Sequence, residues 1–317
     1  MMEISKIRKL AQKSGFLDFG ITNNFDFSFE INEFLRRKKL RFFSNLPFLE
    51  KNLEVRQHPE NFFLPNSRVA AVFAVSCFFP PQKISSDFAE VASFAVGLDK
   101  TKIFKKKIFQ FAQNFHDQFF PQEKFRVFCD SEKILEKSLA VRAGLGTFGK
   151  NGLFYSRQKI AGSFVVIGGF FSTADLPVKN YPIQKNFPQC GDCQICQKKC
   201  PTKAIISPGI LDPRKCLSFW NIEFRGEKIP KNIASKMGKK IFGCDDCQIC
   251  CPRNRDCKFV KNFLTEKIIA GKKINLEKIL KISDQQEFQK NFTDSSILRA
   301  KLTGIKRNAK ICQENSH

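Results

Sequence analysis

The chain is short of many residues that mark function most plainly. Its 317 residues include one Trp, two Tyr, three Met and three His. No stretch approaches the ~18–20 uninterrupted apolar residues of a membrane span, so a helical membrane protein is excluded. The opening segment, Met1 to Gly20, carries Glu3, Lys6, Arg8, Lys9 and Lys13 and no long apolar run. A secretory signal is therefore not expected, and a reducing, cytoplasmic setting is. Acidic residues are also few: 30 Asp and Glu stand against 54 Lys and Arg, a formal net charge of +24. A field of that sign attracts polyanions, nucleic acid foremost, although drift of the whole composition toward Lys accounts for it equally well. The same drift explains 37 Phe beside so little Tyr and Trp, and no single Phe is read as functional on that basis. Hydrophobic content of 42% suffices for a packed core, and the length suits one large domain plus a smaller module.

What the chain has in excess is cysteine, in two matched arrays. The first is Cys190-x2-Cys193-x2-Cys196-x3-Cys200-Pro201; the second is Cys244-x2-Cys247-x3-Cys251-Pro252, with Cys216 between the two. Thiolate is a soft ligand that suits iron, and four thiolates close around one [4Fe–4S] cube. In two-cluster modules the cysteine before proline crosses to the other cluster. That rule assigns Cys190, Cys193, Cys196 and Cys251 to one cluster, and Cys200, Cys216, Cys244 and Cys247 to the second. Two four-cysteine zinc sites could use the same residues, but a zinc ribbon places a long spacer between two C-x2-C pairs, and the first array is too compact for that. Cys250 is an extra thiol beside two of these ligands, either an alternative ligand or, as favoured here, a spectator. Cys77, Cys129, Cys257 and Cys312 read as buried thiols.

The rest of the chain divides around the arrays. Residues 1–180 read as an α/β (α+β) domain, 181–257 as an inserted ferredoxin-like module for two [4Fe–4S] clusters, and 258–317 as a short, basic helical tail. In the first, Val69 to Val75 is a continuous apolar run suited to a buried strand. Phe104, Ile108, Phe111 and Phe115 form a helical stripe with Lys105, Lys106 and Lys107 on its other faces. Phe125 to Cys129 and Phe164 to Gly168 read as further strands, and Glu132 to Arg142 as a helix with Ile134, Leu135, Leu139 and Ala140 inward. The tail carries thirteen Lys and Arg against six Asp and Glu; it either tracks phosphates or is merely solvated.

A two-cluster module moves electrons, so the substrate chemistry is expected in the α/β domain. The best candidate is Asp130 to Gly152. Asp130 ends a strand, where open α/β sheets build their sites; Asp130 or Ser131 could equally be the N-cap of the helix that follows. Gly144, Gly146, Gly149 and Gly152 permit close backbone approach to a bulky ligand. Lys150 is followed by Asn151, so this is not a nucleotide phosphate loop.

The stretch Asp130 to Gly149, the phrase Ala161-Gly-Ser-Phe164 and both cysteine arrays together resemble the epoxyqueuosine reductase family. The likeness extends to Arg56-Gln-His-Pro-Glu-Asn-Phe-Phe-Leu-Pro-Asn-Ser-Arg-Val69, to Asp212-Pro-Arg-Lys-Cys-Leu-Ser-Phe219, to Gly243-Cys-Asp-Asp-Cys-Gln248 and to Arg299-Ala-Lys-Leu-Thr-Gly-Ile-Lys-Arg-Asn-Ala309, and so covers nearly the whole chain. It implies an enzyme with cobalamin and two [4Fe–4S] clusters that reduces epoxyqueuosine to queuosine in the anticodon loop of tRNA. It would be a monomer fed by an external low-potential electron donor. The resemblance assigns the catalytic acid to Asp130 and cobalamin contacts to Arg56, Asp130, Phe154, Ile167, Glu223 and Phe224. Burial against the corrin is expected to raise the Asp130 pKa, so that it protonates the opened epoxide. The Asp-x-His-x-x-Gly signature of many cobalamin proteins is absent, which is compatible with a family expected to bind cobalamin base-off; the histidines are His58, His116 and His317.

Three departures stand out. The family's Asp-Tyr-His aligns with Asp99-Lys100-Thr101, the aromatic of its Gly-Leu-Gly-Trp is Thr147, and the helical-repeat extension of longer members is missing. The first bears on substrate fidelity and the last on the grip on tRNA. The competing readings are a two-cluster electron carrier, a related cobalamin-dependent reductase of another substrate and a zinc-bearing nucleic-acid-binding protein.

Overall fold

The computed structural model describes residues 3–44, 46, 50, 52–130, 133–184 and 186–316. The strands, in order, are β1 (Asp18–Thr22), β2 (Val69–Ser76), β3 (Phe88–Val91), β4 (Phe125–Cys129), β5 (Gly146–Phe148), β6 (Phe154–Ser156), β7 (Val165–Ser172), β8 (Ile205–Ser207), β9 (Ile210–Leu211), β10 (Lys240–Phe242) and β11 (Lys273–Asn275). The α-helices are α1 (Ile4–Lys13), α2 (Ser28–Lys39), α3 (Leu53–Gln57), α4 (Pro59–Phe62), α5 (Lys100–Phe119), α6 (Glu136–Arg142), α7 (Ile195–Lys199), α8 (Lys231–Met237), α9 (Asp246–Ile249), α10 (Leu276–Lys281), α11 (Gln285–Asn291) and α12 (Lys301–Glu314).

The central sheet has the order β1-β2-β7-β4 and is antiparallel throughout. Antiparallel sheets often leave one face wet and then alternate polar with apolar residues. Here both faces are covered, which is why the apolar run Val69 to Val75 is unbroken. Val69, Ala71, Phe73 and Val75 pack with Ile7 and Ala11 of α1 and with Phe104, Ile108, Phe111 and Phe115 of α5. Ala70, Val72 and Ala74 face the other way, onto Ile31 of α2 and Leu139, Ala140 and Val141 of α6. The α5 stripe thus points inward as its periodicity predicts. Asp99 caps that helix, accepting from the backbone N–H groups of Thr101 and Lys102 at 2.9 and 3.2 Å, a contact worth about 1 kcal/mol.

The helix expected over Glu132 to Arg142 is shorter. It begins at Glu136, with Leu135 at the N-cap position and no side-chain cap. Asp130 therefore does not cap it, and Ser131 and Glu132 lie outside the described residues. Leu139 and Ala140 are buried on α6 as expected, and Ile134 is buried before the helix begins.

A second sheet, β10-β3-β11, takes one strand from each of the three stretches of the chain. It packs against Ile279 of α10, Phe288 of α11 and Ile305, Ala309 and Cys312 of α12. The closing stretch is accordingly more than a solvated tail. Within its Arg-Asn-Ala phrase, buried Asn308 donates from Nδ2 to the carbonyls of Asn221 (2.8 Å) and Ile241 (2.9 Å). Arg307 donates to the carbonyls of Trp220, Phe224 and Gly226. Both residues clamp a π-helical turn, Phe219–Glu223, a geometry often found at functional sites. Among the described residues, no helix is long and apolar enough to cross a membrane.

Candidate functional site

A cleft of ≈ 550 Å³ opens where β4, the start of α5, the π-helical turn and the segment before α12 meet; Lys100, Asp130, Glu223 and Arg299 line it, with Phe94 and Ile222 as apolar walls. Asp130 follows the last residue of β4 and has φ +48, a left-handed conformation uncommon outside Gly, Asn and Asp. Its Oδ2 pairs with Lys100 Nζ at 3.2 Å and accepts from Thr101 Oγ1 at 3.5 Å. Burial pushes the Asp130 pKa up, but Lys100, by charge and by hydrogen bond, together with the charges of Arg299 and Lys137, leaves the carboxyl below its usual value. The raised Asp130 pKa expected on burial against a corrin concerns the loaded cleft; in the protein alone the lysine that stands where the resembled family has tyrosine helps to hold the value down.

The carboxyl that does hold a proton near neutrality is Glu136, in the first turn of α6. Burial raises its pKa to about 7, with the Asp130 charge adding to the effect. Glu136 Oε1 is buried without a hydrogen-bond partner, as is Nε of Arg56 on α3; the two side chains attract one another electrostatically. Lys137 is exposed, yet crowding of its ammonium lowers its pKa, and it feels Glu136, Lys100, Asp130 and Cys247. The second cysteine array thus lies within electrostatic reach of the Asp130 cleft.

The thiols fall into two neighbourhoods. The Cys196 pKa is pushed up to about 11, first by burial and then by Cys250, Cys251 and Cys190; Cys250 in turn feels Cys251 and Cys193. Burial raises Cys247 strongly, and Cys244, Cys216 and Cys200 add to that. Among the described residues, no group of three or more His, Cys, Asp or Glu is drawn together around a single metal-ion position. A four-iron cube, by contrast, distributes its thiolates over its corners rather than around one centre.

The Gly-Lys-Asn phrase of the α/β domain braces both arrays. Lys150 Nζ donates to the carbonyls of Gly191 and, at 3.2 Å, Cys193. Asn151 Nδ2 donates to the Cys247 carbonyl at 3.1 Å and to Tyr155 Oη at 2.9 Å. Ser163, in the Ala-Gly-Ser-Phe phrase, donates from its backbone N–H to Asn254 Oδ1 at 2.9 Å and from Oγ to Gln248 Oε1 at 2.9 Å. Its neighbour Gly162 has φ +53 and no room for a Cβ, which would lie 2.1 Å from Asn254 Oδ1. Thr147, in place of the family's aromatic, accepts from Arg253 at 3.1 Å.

Of the residues assigned to cobalamin, Asp130 and Glu223 line the cleft, with Phe224 next in the chain after Glu223. Phe154 and Ile167 are buried in the core beneath α6. Cys77, Cys129 and Cys312 are buried as expected, whereas Cys257 is only partly so. His116 is buried and bonded to the Ala112 carbonyl and Ser172 Oγ, each at 2.8 Å, a structural role; His317 lies outside the described residues. Sequence reasoning missed Glu136 and treated Lys100 only as a lost tyrosine. A glutamate directly after the apolar pair Ile134 and Leu135, six residues beyond a strand-end aspartate, was the available signal.

Residues 189–254 match the family model of a 4Fe-4S double cluster binding domain, so the soft-ligand reading of the arrays holds. Over 236 residues the chain is 37% identical to the epoxyqueuosine reductase of Francisella cf. novicida (strain Fx1), covering 74% of this chain and 63% of that protein. The chain is similar to the epoxyqueuosine reductases. It spans just under two thirds of the length of that curated relative. The solved epoxyqueuosine reductase of Streptococcus thermophilus superposes with TM-score 0.81 at 27% identity, over 99% of this chain and 82% of that one. An epoxyqueuosine reductase solved with a tRNA-Tyr epoxyqueuosine-modified stem loop has the same fold, with TM-score 0.86 at 22% identity over 98% of this chain and 81% of that one.

Proposed function

We propose that this chain reduces epoxyqueuosine to queuosine in tRNA, with cobalamin in the Asp130 cleft and electrons supplied through two [4Fe–4S] clusters by an external low-potential donor. The observation that carries the reading is Asp130 in a cleft of ≈ 550 Å³ beside Lys100, Glu223 and Arg299, in a chain whose residues 189–254 match a 4Fe-4S double cluster binding domain; Lys137 feels both Asp130 and Cys247. Such proximity joins an acid for an oxygen leaving group to a source of electrons. In the crossover partition, Cys190, Cys193, Cys196 and Cys251 hold one cluster and Cys200, Cys216, Cys244 and Cys247 the other; the latter is then nearer the cleft.

The cleft's lining suits a large, amide-bearing cofactor in mixing charged with apolar side chains; Arg56 Nε, buried without a partner, is a free donor outside that lining. Arg56, Asp130, Glu223 and Phe224 would hold cobalamin, with Phe154 and Ile167 packing behind. When bound, that group supplies a strongly reducing, nucleophilic metal. The protein's own part is protonic and positional. Opening the epoxide and releasing its oxygen as water takes two electrons and two protons. Asp130 is the last carrier to the oxygen, and Lys100 holds its carboxylate in place between deliveries. The net charge of +24 favours a polyanionic substrate, and the monomer acts in the cytoplasm.

Anaerobic reconstitution with iron, sulfide and cobalamin, followed by nucleoside analysis of epoxyqueuosine-containing tRNA, tests the reading. Conversion to queuosine supports it. A loaded enzyme that leaves the epoxide intact overturns it in favour of a related reductase of another substrate, consistent with Lys100 and Thr101 in place of the family's Tyr-His.

A further inference from the structure

We propose that Lys272, buried against Asp245 of the second cysteine array, raises the reduction potential of the cluster held by Cys244 and Cys247 and so makes that array the place where an electron collects beside the cleft; the inference rests on the two-cluster reading of the arrays and not on the identity of the substrate. Lys272 Nζ lies 3.0 Å from Asp245 Oδ2, with each side chain only 2% exposed, and 3.4 Å from Glu90 Oε1 on β3. A buried ion pair is a weak source of stability, because desolvation takes back much of the attraction. Its place beside the array, rather than its energy, sets it apart.

Asp245 directly follows Cys244 and stands two residues before Cys247. Its carboxylate is fixed from three sides. Oδ2 accepts from the Ser93 backbone N–H at 2.7 Å as well as from Lys272. Oδ1 accepts at 3.1 Å from Nε2 of Gln248, the residue after Cys247. Gln248 accepts in turn from Ser163 Oγ through its side chain and from Asn254 Nδ2 through its carbonyl, at 2.9 and 2.8 Å. The network therefore ties the stretch from Cys244 to Asn254 to the body of the protein, with Lys272 as its buried cation. It also adjoins the cleft. Ser93 precedes Phe94, and Phe242 stands two residues before Cys244; both phenylalanines line the Asp130 cleft.

The sign of the effect follows from charge. Reduction at the second array adds one electron, taken from the external low-potential donor, and one negative charge, with no bond made or broken. The potential of such a cluster is tuned by its electrostatic surroundings. A cation held out of water acts through a low effective dielectric and favours the more negative, reduced state. Asp245 and Glu90 temper that effect, and Lys272 supplies it. The other ion pair of this region, Lys240 with Asp246 at 3.2 Å, is more open, with side chains 19% and 29% exposed, and solvent screens it.

An EPR-monitored redox titration of the reconstituted full chain at a single pH tests the proposal. Cys244→Ala, which removes a ligand of the cluster in question, shows which of the two potentials belongs to it. Lys272→Met should make reduction of that cluster about 3-fold to 10-fold less favourable, up to ~59 mV lower for a one-electron couple, and leave the other cluster nearly unmoved. Glu90→Gln removes an anion from the same group at a partly exposed site and should shift the same cluster the opposite way. Lys272→Arg keeps the charge and should restore the parent value. A general loosening of the fold does not give opposite shifts in two variants. Potentials unmoved in both Lys272→Met and Glu90→Gln, shifts of one sign in the two, or shifts confined to the cluster of Cys190, Cys193 and Cys196 overturn the proposal. If Lys272→Met does not retain its iron, Glu90→Gln decides alone: a higher potential supports the proposal, and an unmoved or lower one overturns it. A parent chain that holds only about four irons refutes the two-cluster reading itself, and this proposal with it.

Discussion

Replacing Glu136 with Gln should stabilise the protein at high pH and leave it unaffected at low pH. In the unfolded chain a glutamate ionises near 4.5, whereas in the fold Glu136 keeps its proton to about pH 7 because burial disfavours its charge. Between those values the folded state binds more protons than the unfolded state, so stability falls as pH rises, and the full penalty is reached above pH 7. Each pKa unit corresponds to about 1.4 kcal/mol; the separation of 4.5 from about 7 gives an upper bound of about 3.5 kcal/mol. Glu136 is partly reached by solvent, so about 1–3 kcal/mol is the working range. Glutamine has nothing to ionise and escapes the penalty. At about 2–4 °C per kcal/mol for large domains, the variant should melt several degrees above the parent at pH 8 and by clearly less at pH 5, where only about 1 kcal/mol of the penalty is present. Anaerobic thermal scans of both proteins at one scan rate check this. Any constant effect of the amide cancels in the comparison between the two pH values. An equal Tm difference at both, or a variant less stable at pH 8 than at pH 5 relative to the parent, refutes the burial argument.

Lys100→Met removes the cation that holds the Asp130 carboxyl down, so its pKa should rise toward or above the ordinary carboxylate value; carboxyl titration by infrared or NMR should find this, and an unmoved Asp130 contradicts the assigned cause. Cys251→Ala should damage the cluster held by Cys190, Cys193 and Cys196, lowering iron from about eight per chain toward about four; loss confined to the Cys200, Cys216, Cys244 and Cys247 cluster contradicts the crossover. Asn308→Ala leaves the Asn221 and Ile241 carbonyls without their partner and should cost about 1–3 kcal/mol, measured by denaturation; a neutral variant means the clamp on the π-helical turn is dispensable. Affinity for tRNA should fall steeply and log-linearly with salt, and a flat dependence argues against phosphate contacts by the basic surface.

The parts of the structure legible in the sequence are those fixed by burial on one or both faces. The runs in β2 and β7 and the α5 stripe Phe104, Ile108, Phe111 and Phe115 needed only apolar periodicity. The antiparallel pairing of β2 with both β1 and β7 was not legible, because a strand covered on two faces carries no alternation to distinguish it from a parallel one. The start of α6 was misread since Ile134 and Leu135 continue the helical pattern although the helix begins at Glu136. The closing stretch looked like a tail because its composition is basic, yet Ile305, Ala309 and Cys312 are buried against β10 and its neighbours. At the site, the cysteine spacing and Asp130 were readable as chemistry. The Lys100–Asp130 pair, the burial of Glu136 Oε1 without a partner and the bracing of both arrays by Lys150 and Asn151 depend on contacts between residues distant in sequence, which spacing does not encode.

The central claim is that Asp130 delivers protons to an epoxide oxygen in a cleft supplied with electrons by the cysteine arrays. Single-turnover reduction of epoxyqueuosine-containing tRNA by the reduced, reconstituted parent and its Asp130→Asn variant, with iron and corrinoid content measured on the same samples, tests it most directly. The account predicts queuosine from the parent and a rate about 10²–10⁴ lower from a variant that carries full cofactor loading. Near-normal turnover by the fully loaded variant contradicts it.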